Sequence, residues 1–207
     1  MSNQMLKMAQ DLPLARIHGW LAGDGHADAR VEPDKHGVHY ELRFFPDSKK
    51  LAGLFALNFR KQLRVRPHIH DTRGTEECYA VRVRNVAACR LILSVAPLGR
   101  HTWPIPSFGY EEEHVQWIKS YYDCEARVYG PQHAIQAKSV NNEGLEQVRM
   151  RLGQIGVRSN LHGPYHQKKE TWAPYWVLSI TGRSEARSHA LKVGFNHPAK
   201  LRALMSI

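Results

Sequence analysis

Amphipathic stretches with helical spacing alternate with short strand-like runs, and this order occurs twice along the chain. In the first half, apolar residues at Leu51, Leu54, Phe55 and Phe59 mark a helix of about four turns. Strand-like runs joined by turn-forming residues precede and follow it. The elements predicted for this half are a helix at 12–23, strands at 26–32 and 38–45, a helix at 49–63, strands at 65–70 and 78–84, and a helix at 86–95.

The second half repeats this order after a Pro-containing segment, Gly99–Phe108. The predicted elements are a helix at 111–124, strands at 127–129 and 134–140, a helix at 143–155, strands at 157–162 and 175–181, and a helix from Ser184. The fold class is therefore predicted to be α+β, with two αββαββα halves related by a pseudo-twofold axis and antiparallel sheets. We assign residues 1–98 to the first half, 99–110 to a linker and 111–207 to the second half.

The first helix of each half ends in a similar phrase. One reads Ile-His-Gly-Trp-Leu-Ala-Gly-Asp-Gly from Ile17, and the other reads Ile-Lys-Ser-Tyr-Tyr-Asp-Cys-Glu-Ala from Ile118. When the phrases are superimposed, small residues meet small residues and an acid meets an acid. The matched pairs are Gly19 with Ser120, Gly23 with Cys124, and Asp24 with Glu125.

Small residues four positions apart share one helix face and allow two helices to approach closely. If these faces meet, Asp24 and Glu125 converge where both helix dipoles are also negative, and cations must relieve the repulsion. Paired carboxylates in such a place can hold a divalent metal against a phosphate. A single Gly-Asp-Gly is more commonly a helix cap and turn, but that interpretation does not explain the second copy.

Positive charge is concentrated on the predicted strands. The chain has 29 Lys and Arg against 19 Asp and Glu, and a pI near 9.7, which is typical of a protein that binds a polyanion. Strand alternation at 79–84 places Arg82 and Arg84 on one face, opposite Val81 and Val83. A solvated sheet face is the alternative, but the predominance of basic residues favours a β-ribbon that reads the DNA major groove. The candidate DNA contacts are Arg43, Arg66, His68, Arg82, Arg84, Lys138, Lys168 and Lys169.

Other classes of protein fit the sequence poorly. No apolar run approaches the roughly 20 residues of a membrane span, and the segment through Met8 lacks the apolar centre of a secretory signal. The three cysteines, Cys78, Cys89 and Cys124, form no CxxC pair, so we expect reduced thiols and no zinc site made from cysteine. An intracellular protein is expected, in the cytoplasm of a prokaryote, with an organellar location as the alternative.

The two phrases resemble the paired motifs of the LAGLIDADG homing endonucleases in their single-chain form. The resemblance extends to Trp-Pro-Ile-Pro at 103–106, before the second motif, and to the segment 193–201. It covers nearly the whole chain from about residue 10. It implies motif helices at 12–24 and 111–125 that pack against each other through Gly19, Gly23, Ser120 and Cys124.

The resemblance also implies the chemistry of the site. Asp24 and Glu125 match the metal-binding acids, for Mg²⁺ with Mn²⁺ as a substitute. Lys200 matches the basic residue that supports the site in the second half, and Arg100 or His101 is the first-half candidate, with Lys138 as a further one. Asp123 stands at the signature's inner acid, where the first motif has Ala22.

The implied function is a monomeric enzyme that makes a metal-dependent double-strand cut in a long, asymmetric DNA site. Two alternatives share the fold: a splicing factor that binds intron RNA (a maturase), and a DNA-binding regulator that does not cleave. Two intact acids argue against the regulator, and metal-dependent DNA cleavage separates the enzyme from a maturase without nuclease activity.

Overall fold

Two four-stranded antiparallel sheets, one from each half of the chain, form the framework of the computed structural model. The structure describes residues 3–32, 37–72, 78–166, 169 and 171–207, and the side chains among these except at 3–11, 30–32 and 37–38. The strand order is β1-β2-β4-β3 in the first sheet and β5-β6-β8-β7 in the second. This identical order confirms the predicted repeat.

The first half contains three helices and the first sheet. Its elements are α1 (Asn3–Asp24), β1 (Gly25–Glu32), β2 (Gly37–Phe44), α2 (Lys49–Leu63), β3 (His68–Asp71), β4 (Tyr79–Val83) and α3 (Val86–Val95). Helix α1 begins well before the predicted residue 12 and continues through Pro13. Strand β3 begins later than the predicted Val65, because Arg64 ends α2 in the left-handed conformation and the chain needs three more residues before it pairs.

The second half contains four helices and the second sheet. Its elements are α4 (Glu111–Glu125), β5 (Ala126–Tyr129), β6 (Ala134–Ser139), α5 (Asn142–Gln154), β7 (Asn160–Tyr165), β8 (Tyr175–Thr181), α6 (Arg183–Lys192) and α7 (Pro198–Met205). Helix α7 has no counterpart in the predicted αββαββα order, which is therefore incomplete for this half. Pro198 occupies its first turn and the His197 side chain caps its start.

Each half has its own hydrophobic core beneath its sheet. Phe44, Phe55 and Phe59 pack together in the first core, while Ile135, Leu145 and Leu178 contribute to the second. Alternation along the strands directs these apolar side chains inward and leaves the polar face of each sheet exposed. The halves meet where α1 packs along α4.

Two further features concern the whole described chain. Cys78, Cys89 and Cys124 are free thiols. Within the described residues, every helix is too short or too polar to cross a membrane.

Candidate active site

Helices α1 and α4 approach closely because each carries small residues on the contact face. A Cβ atom added to Gly19 would lie 2.4 Å from the carbonyl oxygen of Trp117, and one added to Gly23 would lie 2.5 Å from Cys124 Cβ. Ser120 and Cys124 are the small residues facing them. The structure therefore brings together the four residues that the sequence placed at the helix interface.

Buried hydrogen bonds fix the two helices relative to each other. His18 Nδ1 accepts from Trp117 Nε1 at 2.9 Å, and His18 Nε2 donates to the Ala96 carbonyl at 3.1 Å. Burial lowers the pKa of His18 to about 4, so the ring is neutral and both of its nitrogens are used. The inner acid of the second motif, Asp123, accepts from Trp20 Nε1 at 3.1 Å.

Asp123 also connects α4 to the segment before α7. Its carboxylate accepts from the backbone N–H groups of Asn196 and His197 at 2.7 and 2.9 Å and from Asn196 Nδ2 at 2.9 Å. These bonds occupy both carboxylate oxygens in a buried position. Asp123 is thus a structural acid that joins three segments.

Asp24 and Glu125 line one cavity of about 870 Å³ at the end of the helix pair. Burial, followed by the negative charge of Asp24, raises the pKa of Glu125 to about 8. Burial also raises the pKa of Asp24, and the nearby Lys200 opposes this shift. The two carboxyl groups thus lie in one cavity, and burial together with the charge of Asp24 favours the protonated form of Glu125.

The basic residues predicted around the acids occupy different positions. Arg100 and Lys138 line the same cavity as the acids, and His101 lies exposed beside Arg100. Lys200 Nζ donates to the carbonyl oxygens of Asp123 and Cys124 at 2.6 and 2.8 Å, and its charge lowers the pKa of both acids. Lys200 therefore neutralises the C-terminal end of α4.

Lys138 has no basic counterpart in the first half. Gly25 pairs with Phe44 and Ala126 pairs with Ala137, so the residues that follow, Phe45 and Lys138, are equivalent in the two sheets. Lys138 Nζ lies 5.3 Å from the centre of the Tyr175 ring, an arrangement that holds the ammonium group over an aromatic face. The two halves of the cavity therefore differ in charge.

A second connection between the halves lies behind Asp24. His197 Nε2 donates to Asp47 Oδ1 at 2.9 Å, while His197 Nδ1 accepts from the backbone N–H of Ala199 at 3.2 Å. The histidine thus caps α7 and binds a carboxylate of the first half at the same time. This pair connects the start of α7 to the segment before α2.

The exposed face of the first sheet carries a row of basic side chains. In the strand register, His26 pairs with Arg43, Arg43 with Arg82, and Arg82 with His68. His26 also lines the cavity that contains the acids, so the row begins at the candidate active site. Among the predicted contacts, Arg66 is exposed in the loop before β3, and Arg84 follows β4 on the same face as Arg82.

The exposed face of the second sheet is mainly uncharged. Its corresponding row consists of Arg127, Gln136, Ser179 and Asn160. Lys138 and Tyr175 line both the acid cavity and a shallow cavity of about 430 Å³ on this face. A polar surface thus runs from one sheet to the other past the two acids.

Lys169, one of the two remaining predicted contacts, lies in the segment between β7 and β8. Lys169 is exposed, with Nζ 5.2 Å from the centre of the Trp172 ring. Lys168 lies outside the described residues.

Comparison with known proteins supports this architecture. Residues 112–194 match the family model of a LAGLIDADG-like domain. I-DmoI in complex with DNA and Ca superimposes with a TM-score of 0.70 at 19% identity, covering 95% of this chain and 98% of that one. The complex of I-DmoI with DNA and Mn gives a TM-score of 0.67 at 19% identity, covering 89% and 97%.

The chain has the two-domain LAGLIDADG fold, and its residues 112–194 match the family model.

Two other comparisons concern proteins of different description. The N-terminal LAGLIDADG domain of DUF199/WhiA matches with a TM-score of 0.61 at 12% identity, covering 89% of this chain and 82% of that domain. The replication factor C small subunit of Thermococcus kodakarensis is 27% identical in an alignment of 212 residues that covers 97% of this chain. This chain spans only about a fifth of the length of that relative, 22%.

The cavity lined by Asp24 and Glu125 could hold a hydrated divalent cation. Within the described parts of the chain, no cluster of three or more His, Cys, Asp or Glu side chains is placed to enclose a metal. Mg²⁺ typically uses only one or two carboxylates and completes its coordination with water and substrate phosphates. Two converging carboxylates with raised pKa values provide such a donor set, since a divalent cation would relieve their repulsion.

Several residues around this site have no clear signal in the sequence. Tyr175 beneath Lys138, Asp47 bonded to His197, and Glu41 between two arginines all depend on contacts between elements distant in the chain. The one signal available was the position of Glu41 two residues before Arg43 in a predicted strand, which places both side chains on one face.

Proposed function

We propose that the protein is a divalent-metal-dependent endonuclease that cuts both strands of a long, asymmetric DNA site. The observation that carries the proposal is the placement of Asp24 and Glu125, one from each half, in a single cavity between the exposed faces of the two sheets. A DNA duplex has a local twofold axis that relates its strands. One acid from each half is therefore a suitable arrangement for attack on both strands.

The two sheets account for DNA binding. The first sheet offers the basic row that includes Arg43 and Arg82, and the second offers Gln136 and Asn160, so the surface can contact both phosphates and base edges. Because the two faces differ in charge, the DNA site they recognise should be asymmetric. The similar I-DmoI structures are named as complexes with DNA, and we accordingly propose duplex DNA, rather than intron RNA, as the partner.

Asp24 and Glu125 would hold Mg²⁺, or Mn²⁺ in its place. The bound metal would supply Lewis-acid stabilisation of phosphate charge and lower the pKa of water. The metal requires both carboxylates in their ionised form, so the raised pKa of Glu125 makes binding depend on pH.

The basic residues have separate roles in this proposal. Arg100 and Lys138 face the cavity and are placed to stabilise the extra negative charge that phosphodiester hydrolysis develops. Lys200 is a positioning residue, because its ammonium group is bound to the last carbonyl groups of α4 and holds the strand-helix junction at Glu125 in place.

The proposal is tested with duplexes enriched by binding to the full chain from a randomised DNA library. An enriched duplex is cloned into a supercoiled plasmid and incubated with protein and Mg²⁺, Mn²⁺ or EDTA. We expect linear plasmid with either metal and intact plasmid with EDTA. A plasmid that is bound but stays uncut with both metals would contradict the nuclease assignment.

A further inference from the structure

Glu41 is a buried carboxylate on the mainly basic face of the first sheet. Its side chain is only 1% exposed, whereas those of Arg43 and Arg84 are 30% and 64% exposed. Glu41 and Arg43 lie two residues apart on β2 and therefore share a face. Continuing the β2–β4 register places Arg84 directly opposite Glu41. The carboxylate thus lies beneath two arginines that reach towards solvent.

Each oxygen of Glu41 binds a different arginine. Oε2 accepts from Arg43 Nε at 2.5 Å and also contacts Arg43 Nη2. Oε1 accepts from Arg84 Nε at 2.9 Å. Arg43 binds through Nε and Nη2, whereas Arg84 binds through Nε, so Arg43 Nη1 and the two terminal nitrogens of Arg84 take no part in these bonds.

Two features of this arrangement are unfavourable in free energy. Burying a carboxylate costs free energy that its partners must offset, and Arg43 lies directly across from a third arginine, Arg82, a like-charge pairing that is unfavourable in a sheet. Within the described residues, Arg82 Nε has no hydrogen-bond partner. Asp28 adds a carboxyl group on β1, opposite Glu41. Glu41 therefore orients two of the three arginines, and it leaves Arg43 Nη1 and the terminal nitrogens of Arg84 unbound to it.

Guanine is the base that best fits such donors. It presents two acceptors, N7 and O6, in the major groove, and the paired N–H groups of an arginine can bind both. A guanidinium already held on a carboxylate loses less freedom when it binds, so orientation before binding increases selectivity.

We propose that Glu41 is a positioning residue that orients Arg43 and Arg84 to read guanines in the half of the DNA site beneath the first sheet. This inference rests on the proposed DNA-binding function and adds a base preference and its structural source. The second sheet has a different row, in which Gln136 and Ser179 lie between Arg127 and Asn160. The dependence on Glu41 should therefore be confined to one half-site.

The test compares Glu41→Gln with two other variants of the full chain. Glu146→Gln is the matched control, because it makes the same substitution and also removes an ion pair, that with Arg149 on α5. Arg84→Gln removes one of the two oriented arginines and changes an exposed side chain, so it preserves the fold if Glu41→Gln does not. Each protein selects duplexes from the same randomised library, and affinity is measured for the best wild-type duplex and for an unrelated duplex.

We expect the wild type and Glu146→Gln to select the same guanines. Glu41→Gln should lose about tenfold in preference at each of two neighbouring guanine positions in one half-site. Its affinity for the unrelated duplex should be unchanged or higher, because the variant has one negative charge fewer. Arg84→Gln should lose the preference at one of those two positions.

Two outcomes would overturn the inference. One is an unchanged guanine preference in Glu41→Gln or in Arg84→Gln. The other is an equal loss of affinity for both duplexes in Glu41→Gln, which would indicate a merely structural role. If the wild type itself enriches no duplex, the proposed DNA-binding function fails instead.

Discussion

Replacing Glu125 by glutamine should stabilise the metal-free protein at alkaline pH while removing its activity. Burial and the charge of Asp24 raise the pKa of Glu125 from an ordinary 4.5 to about 8. The folded state therefore holds a proton that the unfolded state releases. Stability from this group is fully present below pH 4.5 and is lost as the pH rises through 8.

The size of the effect follows from the same pKa. At about 1.36 kcal/mol per pKa unit, deprotonation of Glu125 costs the folded protein up to about 4 kcal/mol at pH 8. Water and counter-ions in the open cavity reduce this, so we expect a gain of about 2–4 kcal/mol for Glu125→Gln at pH 8.5. At pH 5 the side chain at position 125 is neutral in the folded state of both proteins, and their free energies of unfolding should differ by less than about 1 kcal/mol.

Urea unfolding followed by circular dichroism in EDTA measures this difference at pH 5 and 8.5. Glu112→Gln, an exposed change on the same helix, is the control and should give the same small difference at both pH values. Saturating Mg²⁺ should stabilise the wild type at pH 8.5 and have little effect on Glu125→Gln. If Glu125→Gln differs from the wild type equally at both pH values, the carboxylate is not electrostatically stressed and the reasoning is wrong.

Two further predictions concern the helix interface and the basic residues. Gly23→Ala should lower the free energy of unfolding by about 1–3 kcal/mol, because its new methyl group overlaps Cys124. The control Gly53→Ala on α2, where a Cβ meets no described atom within 4 Å, should raise the free energy of unfolding by up to about 1 kcal/mol. Equal effects of the two substitutions in urea titrations would contradict the close packing of α1 against α4. Lys138→Met should slow DNA cleavage about 100-fold with little change in the free energy of unfolding. Lys200→Met should lower the free energy of unfolding by about 1–3 kcal/mol, because the last carbonyl groups of α4 lose their ammonium donor. If Lys138→Met mainly lowers stability and Lys200→Met mainly slows cleavage, the roles proposed for the two lysines are wrong.

The order of elements was readable from the sequence because the two halves repeat it. The apolar residues of α2 and α3 predict both helices, and the small residues at 19, 23, 120 and 124 predict the contact between α1 and α4. Helix α7 is absent from the predicted order, since it is only eight residues long and its cap and first residue, His197 and Pro198, resemble a turn in an isolated sequence. Helix α1 starts before the predicted residue 12, with Pro13 inside the helix.

The acids of the site were predictable and their surroundings were only partly so. A repeated motif identifies Asp24 and Glu125, because a carboxylate recurs in the same position. Sequence spacing cannot show that Lys200 turns towards the α4 carbonyl groups while Lys138 faces the cavity, because both depend on how distant segments pack. The role of Glu41 also depends on contacts between distant segments, because on an isolated strand this residue resembles an ordinary solvated glutamate.

Cleavage of each DNA strand by Asp24→Asn and Glu125→Gln tests the central claim most directly. The substrate is a duplex enriched by the wild type, labelled at both 5′ ends and incubated with Mg²⁺. We predict that each single variant binds the duplex within about threefold of the wild-type affinity but cuts neither strand at a measurable rate, since each carboxylate is needed to hold the metal. Wild-type cutting of both strands by either variant would show that the two acids do not form the active site.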